Sequence, residues 1–134
     1  MLSSVHKIIK DFDGSVAFKN LEREYFFVNE KWLEIANLKK EDVIGKTANE
    51  FMSPENAALA NKTDLQAIEQ NTPVEYTSEV ILNGKILTYI SIKWVLNFIH
   101  DKPFFICNLS ALTTDRDKVL AFRDTINEIF KRKK

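Results

Sequence analysis

The dipeptide Asn83-Gly84 lies between two long runs of β-forming residues and limits the fold more than any other feature. Both residues accept positive φ, which a two-residue hairpin turn requires. The sequence therefore predicts antiparallel strands over Val74–Leu82 and Lys85–Ile99. A third strand is predicted over Pro103–Leu109, after the polar turn His100-Asp101-Lys102. Three long antiparallel strands in succession require a fold built around a sheet.

Two shorter strands and several helices precede this group. Two segments rich in β-forming residues, Ser15–Lys19 and Tyr25–Val28, predict a hairpin. Asn29 suits the N-cap of a short helix that Asn37 ends, and a second short helix is predicted over Lys39–Ile44. The residues Ser53-Pro54-Glu55 combine a capping hydroxyl, a first-turn proline and an acid, so a longer helix should begin there and end near Asn71-Thr72-Pro73.

Apolar residues at helical spacing also predict one helix at each end of the chain. The first covers Val5 to Phe12 and ends at Asp13-Gly14, and the second follows Thr114. On the long middle helix, Leu59, Leu65 and Ile68 are expected to form the buried face. On the last helix the apolar positions form a coiled-coil-like stripe for dimer contacts or signal transmission. The members of this stripe are Val119, Phe122, Ile126 and Ile129.

The predicted fold class is α+β, with a five-stranded antiparallel sheet, short helices packed on one face, and N- and C-terminal helices. We divide the chain into an N-terminal cap helix (1–14), a core domain (15–113) and a C-terminal amphipathic helix (114–134). A chain of 134 residues with 15 aromatic side chains can bury a sizeable core without disulfides or metal.

Charge and cysteine content exclude several functional classes. Basic and acidic residues balance at 19 each, which removes the general electrostatic argument for nucleic-acid binding. Cys107 is the only cysteine, so intrachain disulfides and cysteine-based zinc sites are excluded. No signal-like or membrane-spanning segment is evident, and the expected location is cytoplasmic.

The order of these elements, together with several short motifs, resembles the PAS family. The motif Glu41-Asp42-Val43-Ile44-Gly45-Lys46-Thr47 matches a frequent family segment closely. Similar segments cover the opening strands, the entry to the third strand, and the last two strands. They are Val16 to Leu21, Tyr25 to Trp32, Asn71 to Glu75 with the preceding Asp64, Ser91 to Trp94, and Asp101 to Cys107. The resemblance spans about Ser15 to Arg116.

Membership of this family would imply a signal-sensing or regulatory module that is a homodimer and acts on an output domain or partner protein. Such modules occur in two-component systems and in transcription regulation. Three departures are notable. Arg23 and Asn108 stand where the family commonly has glycine, and Leu112-Thr113-Thr114 replaces the usual Asp-Ile-Thr at the exit of the core, where the acid helps to couple the sheet to the outgoing helix.

No cofactor is predicted. Haem-binding members resemble one another in a histidine on the long helix, and Pro54 to Gln70 contains none. Flavin photosensors carry a reactive cysteine after an asparagine in the helical region, which this chain lacks, so covalent flavin chemistry is excluded. Neither His6 nor His100 is placed to act as a base for Cys107, and no catalytic residue is predicted.

The expected ligand site is a pocket between the helices and the inner face of the sheet, and an unknown small molecule would occupy it. For each apolar candidate the alternative is a role in the packed core alone. The apolar candidates are Phe18, Phe27, Trp32, Phe51, Leu65, Ile68, Ile90, Ile92, Trp94 and Ile106. Asn29 and Ser91 are the polar candidates, although Asn29 is equally suited to be only a helix cap. Lys19 and Lys93 are interpreted instead as exposed strand residues.

Three functions remain open from the sequence. The first is a sensor that binds a small ligand or partner and transmits the change through its terminal helices. The second is a ligand-free protein-protein interaction module that mediates dimerisation. The third is a small α+β enzyme, which would need a buried acid among apolar walls, and no acid stands out in such a position.

Overall fold

The computed structural model describes residues 12–70, 72–99 and 102–132, which form five strands and three α-helices. The strands are β1 (Ser15–Lys19), β2 (Tyr25–Val28), β3 (Val74–Leu82), β4 (Lys85–Ile99) and β5 (Lys102–Leu112). The helices are α1 (Glu30–Ala36), α2 (Pro54–Gln70) and α3 (Arg116–Arg132). Short 3-10 helices lie at Lys40–Asp42, Ala48–Glu50 and Thr113–Asp115.

The strands form one antiparallel sheet in the order β2-β1-β5-β4-β3. The predicted α+β class and its five-stranded antiparallel sheet are therefore confirmed. β5 lies in the centre, although it comes last in the chain. It extends to Leu112, beyond the predicted end at Leu109, because Ser110 and Ala111 continue the pairing with β4.

Local sequence signals place the boundaries of these elements. Asn83 and Gly84 both have positive φ, at 52° and 78°, as the hairpin between β3 and β4 requires. Asn37 ends α1 in the left-handed region at φ 57°. Ser53 caps α2 by accepting a hydrogen bond from the Asn56 backbone N–H at 3.2 Å. The predicted first helix lies outside the described residues except for Phe12.

The sheet is covered on both faces. On one face, α3 packs its fully buried Val119 and Ile126 against an apolar cluster that includes Ile92, Trp94 and Leu109. On the other face, a second cluster joins Ala17, Tyr25 and Val28 to Val43, Ala48 and Ala57 from the helical segments. In β1, β4 and β5, alternate residues therefore belong to different interiors.

The buried face of α2 differs from the sequence expectation. Leu59 and Leu65, expected inside, are 39% and 43% exposed, and Ile68 is half-buried. The buried residues are instead Ala57, Thr63, Asp64 and Ala67. The helix is rotated in this way because two lysines of the sheet form ion pairs with Asp64. Within the described residues, no helix is long and apolar enough to cross a lipid bilayer.

Candidate functional site

A cavity of about 420 Å³ lies between the sheet and the helices α1 and α2. This volume is at the lower end of the usual range for small-molecule sites, roughly 300–1,000 Å³. Aromatic side chains form much of its wall, and aliphatic residues of the helical segments and polar groups of the sheet contribute to the rest. The aromatic members are Tyr25, Trp32, Phe51, Tyr76 and Tyr89. Such a wall can hold a ring by stacking or edge contacts while polar groups orient it.

The polar wall comes from strand positions that face the cavity. Ser91 and Ser110 pair across β4 and β5, and their hydroxyl oxygens are 2.6 Å apart. Asn108 donates from its side-chain amide to the Tyr76 hydroxyl at 3.1 Å. Asn108 stands where the family commonly has glycine, so this departure places an amide in the cavity wall.

Asp64 of α2 lies between two lysines of the sheet, and these three residues are called the buried ion triad. Lys19 Nζ of β1 is 2.7 Å from Asp64 Oδ2, and Lys93 Nζ of β4 is 2.6 Å from Asp64 Oδ1. The exposed fractions of the side chains are 3% for Lys19, 1% for Lys93 and 0% for Asp64. The expectation that both lysines are exposed was therefore wrong, because Asp64 provides a buried counter-charge.

Neighbouring groups complete the environment of the two ammonium groups. Lys93 Nζ donates to Thr63 Oγ1 at 2.7 Å and to the Ala60 carbonyl at 3.2 Å, both on α2. Lys19 Nζ lies 4.6 Å from the centre of the Tyr25 ring, within range of a cation-π interaction. The triad thus joins β1 and β4 to α2 behind the cavity.

Burial shifts the pKa values of these groups. Desolvation lowers the pKa of Lys93, partly offset by attraction to Asp64. Desolvation also lowers the pKa of Lys19, and repulsion by Lys93 lowers it further. Burial raises the pKa of Tyr25 and Tyr76, so both phenols stay neutral at ordinary pH. Each shift reflects the cost of holding a charge away from water.

Only part of the predicted site lies at the cavity. Trp32, Phe51 and Ser91 line it. Asn29 is a cap that accepts from the Trp32 N–H and the Val16 N–H, both at 3.0 Å, and it is not part of the lining. The other candidates lie elsewhere. The apolar cluster under α3 contains Phe18, Ile90, Ile92 and Trp94, and Phe27 packs against it. Ile106 is buried within the sheet and does not line the cavity. Neither Leu65 nor Ile68, both on α2, lines the cavity.

The stripe proposed for dimer contacts is largely used within the chain. Val119 and Ile126 are fully buried against the sheet of the same chain. Phe122 is half-buried and stacks on Phe12, with ring centres 4.4 Å apart. The side chain of Ile129 lies outside the described residues.

The sequence interpretation missed several residues of the cavity wall and the ion triad. In the triad they are Lys19, Asp64 and Lys93, and in the wall they include Tyr25, Tyr76, Tyr89, Asn108 and Ser110. One signal was available, since Ser91 and Lys93 on β4, like Asn108 and Ser110 on β5, alternate with apolar residues. That alternation separates two faces. It does not reveal which face bears the cavity, because both faces are covered.

The cysteine named in the sequence analysis does not lie at the cavity. Cys107 is fully buried in the cluster on the other face, and burial raises the pKa of its thiol, which opposes formation of a thiolate. His6 and His100 lie outside the described residues. Within the described residues, no group of histidine, cysteine or acidic side chains is arranged to hold a metal ion.

Loss of the central carboxylate should strongly destabilise the protein. We expect Asp64→Asn to lower the free energy of unfolding by about 3–5 kcal/mol, because two buried ammonium groups would lose their counter-ion. Urea denaturation followed by circular dichroism measures this change. Glu75→Gln removes the exposed ion pair with Arg116 and serves as a control with a much smaller effect.

A compensated variant separates the charge effect from a packing effect. Replacing the whole triad, as Lys19→Met with Asp64→Leu and Lys93→Met, should restore most of the stability, since well-packed apolar groups often replace buried ion pairs without loss. A triple variant as unstable as Asp64→Asn would contradict the electrostatic explanation.

The lowered pKa of Lys19 should make stability depend on alkaline pH. The unfolded chain keeps this proton up to the ordinary pKa of 10.5, whereas the folded protein releases it at lower pH. In that interval the unfolded state binds more protons, so the free energy of unfolding rises with pH. Cys107 acts in the opposite direction near its ordinary pKa of 9.0, because burial raises the pKa of its thiol, and Tyr25 and Tyr76 do so as pH approaches their ordinary pKa of 10.0.

Urea titrations at a series of pH values below 10.5 should therefore give a more positive slope of unfolding free energy against pH for the wild type than for Lys19→Met, because only the wild type releases the Lys19 proton on folding. Lys62→Met, which replaces an exposed lysine of α2, should retain the wild-type slope. Equal slopes in all three proteins would show that Lys19 does not carry the effect.

Comparison with known proteins gives structural but not sequence relatives. No protein-family model matches the chain. No curated protein matches it by sequence either. Solved structures do match. The PAS domain of Bordetella pertussis BvgS has a TM-score of 0.70 at 17% identity, covering 95% of this chain and 96% of that domain.

Two further structures agree. The PAS domain of a protein from Colwellia psychrerythraea has a TM-score of 0.65 at 15% identity, covering 86% of this chain and 98% of that one. VqmA of Vibrio cholerae, solved as a complex with ligand and DNA, has a TM-score of 0.71 at 24% identity. The match covers 86% of this chain and 52% of VqmA, so the chain spans about half the length of VqmA. Together with the strand order and the helices on the inner face, these likenesses show that the chain has the PAS fold.

Proposed function

We propose that this chain is a signal-sensing module that binds a small molecule in the cavity and passes the change to a partner or output domain. The observation that carries the proposal is the cavity itself, which is lined by aromatic rings and by paired polar groups of the sheet. A protein that served only as a scaffold would have no need of such a polar space, because polar groups are costly to bury without partners.

The strands that line the cavity also carry the last helix. On β4, Ser91 and Lys93 face the cavity, whereas Ile92 and Trp94 face α3. Trp94 donates from its indole N–H to the side chain of Asn127 on α3 at 2.8 Å. A ligand that moves β4 therefore changes the surface on which α3 rests. A signal is transmitted when the ligand has different affinity for two such arrangements.

The module acts by binding rather than by catalysis. An enzyme of this kind would need a buried acid, and Asp64 is one. Both of its carboxylate oxygens, however, are in ion pairs with lysines, at 2.6 and 2.7 Å, and so are not free to act on a substrate. The thiol of Cys107 lies on the other face of the sheet. Two of the structures named above are PAS domains, and VqmA was solved with a ligand.

Filling the cavity should abolish binding. Ala60 of α2 lines the cavity, whereas Ala58 on the same helix is exposed. We expect a stoichiometric small molecule to be released when the purified wild type is denatured, extracted and examined by mass spectrometry. Ala60→Phe should lack this molecule, because the ring occupies its space, and Ala58→Phe should retain it. A wild type without any bound molecule, or an Ala60→Phe variant that keeps it, would contradict the proposal.

The module is also proposed to act as a homodimer, as VqmA does. Since Val119 and Ile126 are buried within the chain, the partner would meet the remaining apolar surface of α3 near Leu120 and Phe122. Light scattering should give twice the chain mass of 15.5 kDa, and Phe122→Glu should reduce it to a single chain. Thr125→Glu, at an exposed position, is the control. A wild-type mass of one chain would exclude the dimer.

A further inference from the structure

The buried ion triad does not balance its own charge. Two ammonium groups, Lys19 and Lys93, share the single carboxylate of Asp64, and none of the three side chains is more than 3% exposed. The formal charge of the cluster is therefore +1. Arg23 adds further positive potential at Lys93. Buried charge without a counter-charge is unfavourable, so the fold holds a positive site that a negative group would stabilise.

The direction of the pKa shifts agrees with this surplus. The pKa of both lysines is lowered despite the adjacent carboxylate, chiefly through burial, and for Lys19 also through repulsion by Lys93. One carboxylate thus does not offset the cost of two buried cations. A second anion near the triad would reduce that cost and favour the protonated form of both lysines.

The cavity is where such an anion can approach. Lys93 lines it, whereas Lys19 and Asp64 lie behind the wall. The longest contact of Lys93 Nζ, 3.2 Å to the Ala60 carbonyl, is the one most easily exchanged for an anionic oxygen. Among the described residues of the lining, Glu79 is the other charged group, and it is exposed, where solvent screens its charge.

We propose that the cavity binds a small aromatic monoanion, such as a ring carboxylate, whose negative charge balances the buried ion triad. The inference rests on the proposed ligand-binding function and specifies the ligand class. The aromatic wall, which includes Trp32, Phe51 and Tyr89, provides the surface for the ring. Ser91 and Ser110 share one hydrogen bond, and the hydroxyl that accepts in this pair keeps its own proton to donate to the charged group.

Matched pairs of probes test the charge of the ligand directly. Benzoate and benzamide, and 1-naphthoate and 1-naphthamide, have similar shapes and differ in charge. Binding to the full chain, freed of any co-purified molecule, is measured by isothermal titration calorimetry and by saturation-transfer NMR at one pH. We expect each carboxylate to bind the wild type at least about tenfold more tightly than its amide. Lys62→Met, which replaces an exposed lysine that does not line the cavity, should keep this preference.

Two variants distinguish the surplus charge from simple contact with Lys93. Lys93→Met and Lys19→Met each leave one lysine with Asp64 and bring the cluster to zero charge. Both variants should bind the carboxylate and its amide with about equal affinity, even though Lys19 does not line the cavity. Circular dichroism identifies a variant that fails to fold. The binding preference is then taken from the variant that does fold.

The outcomes separate this inference from the proposed function. Amides that bind the wild type as tightly as the carboxylates, or a preference that survives in Lys19→Met, would overturn the monoanion inference while ligand binding itself stands. A neutral molecule extracted from the wild type and lost in Ala60→Phe would do the same. If no probe binds and no molecule is extracted, both the inference and the proposed function are wrong.

Discussion

The contact of Asp64 with Lys19 and Lys93 determines how the helical half of the molecule sits on the sheet. It joins β1 and β4, which are separated by β5, to one position on α2. Because charges removed from water must be paired, the helix has to turn Asp64 and Thr63 inward. Leu65 is consequently exposed, whereas Leu59 lies at the cavity wall. The cavity lies beside this contact. The same three residues therefore fix α2 against the sheet and provide the positive charge next to the cavity.

A second constraint comes from the sheet, which has an interior on each side. The face under α3 is apolar and packed around Phe18, Ile92 and Trp94. The opposite face carries hydroxyls, an amide and an ammonium group at the same strands. Since successive residues of a strand point to opposite faces, each cavity residue on β4 has neighbours along the chain in the core beneath the helix. This arrangement places the cavity and α3 on opposite sides of one layer of backbone.

The sequence was sufficient for most of the fold and for little of the site. β1 through β4 begin and end where the alternation and turn residues predicted, and Asn37, Ser53 and the Asn83-Gly84 turn act as expected. These signals are local, and so each can be interpreted without knowledge of the partner. The position of the cavity depends instead on which face of the sheet meets α1 and α2. Both faces of β4 are buried, so the sequence pattern does not distinguish them. Ile92 and Trp94 were therefore assigned to the cavity, although they lie under α3. Lys93 was misplaced because a lysine is ordinarily exposed, and its counter-ion lies 29 positions away in the sequence, beyond any local pattern.

The two tryptophans of the chain lie on opposite sides of the sheet. Trp32 lines the cavity, whereas Trp94 is buried under α3 with its indole N–H bonded to Asn127. Indole emission depends on local polarity and hydrogen bonding, so the protein contains two intrinsic fluorophores at the two ends of the proposed route. A protein that keeps only one of the two tryptophans would thus report changes in the cavity or beneath α3 separately, without an attached dye.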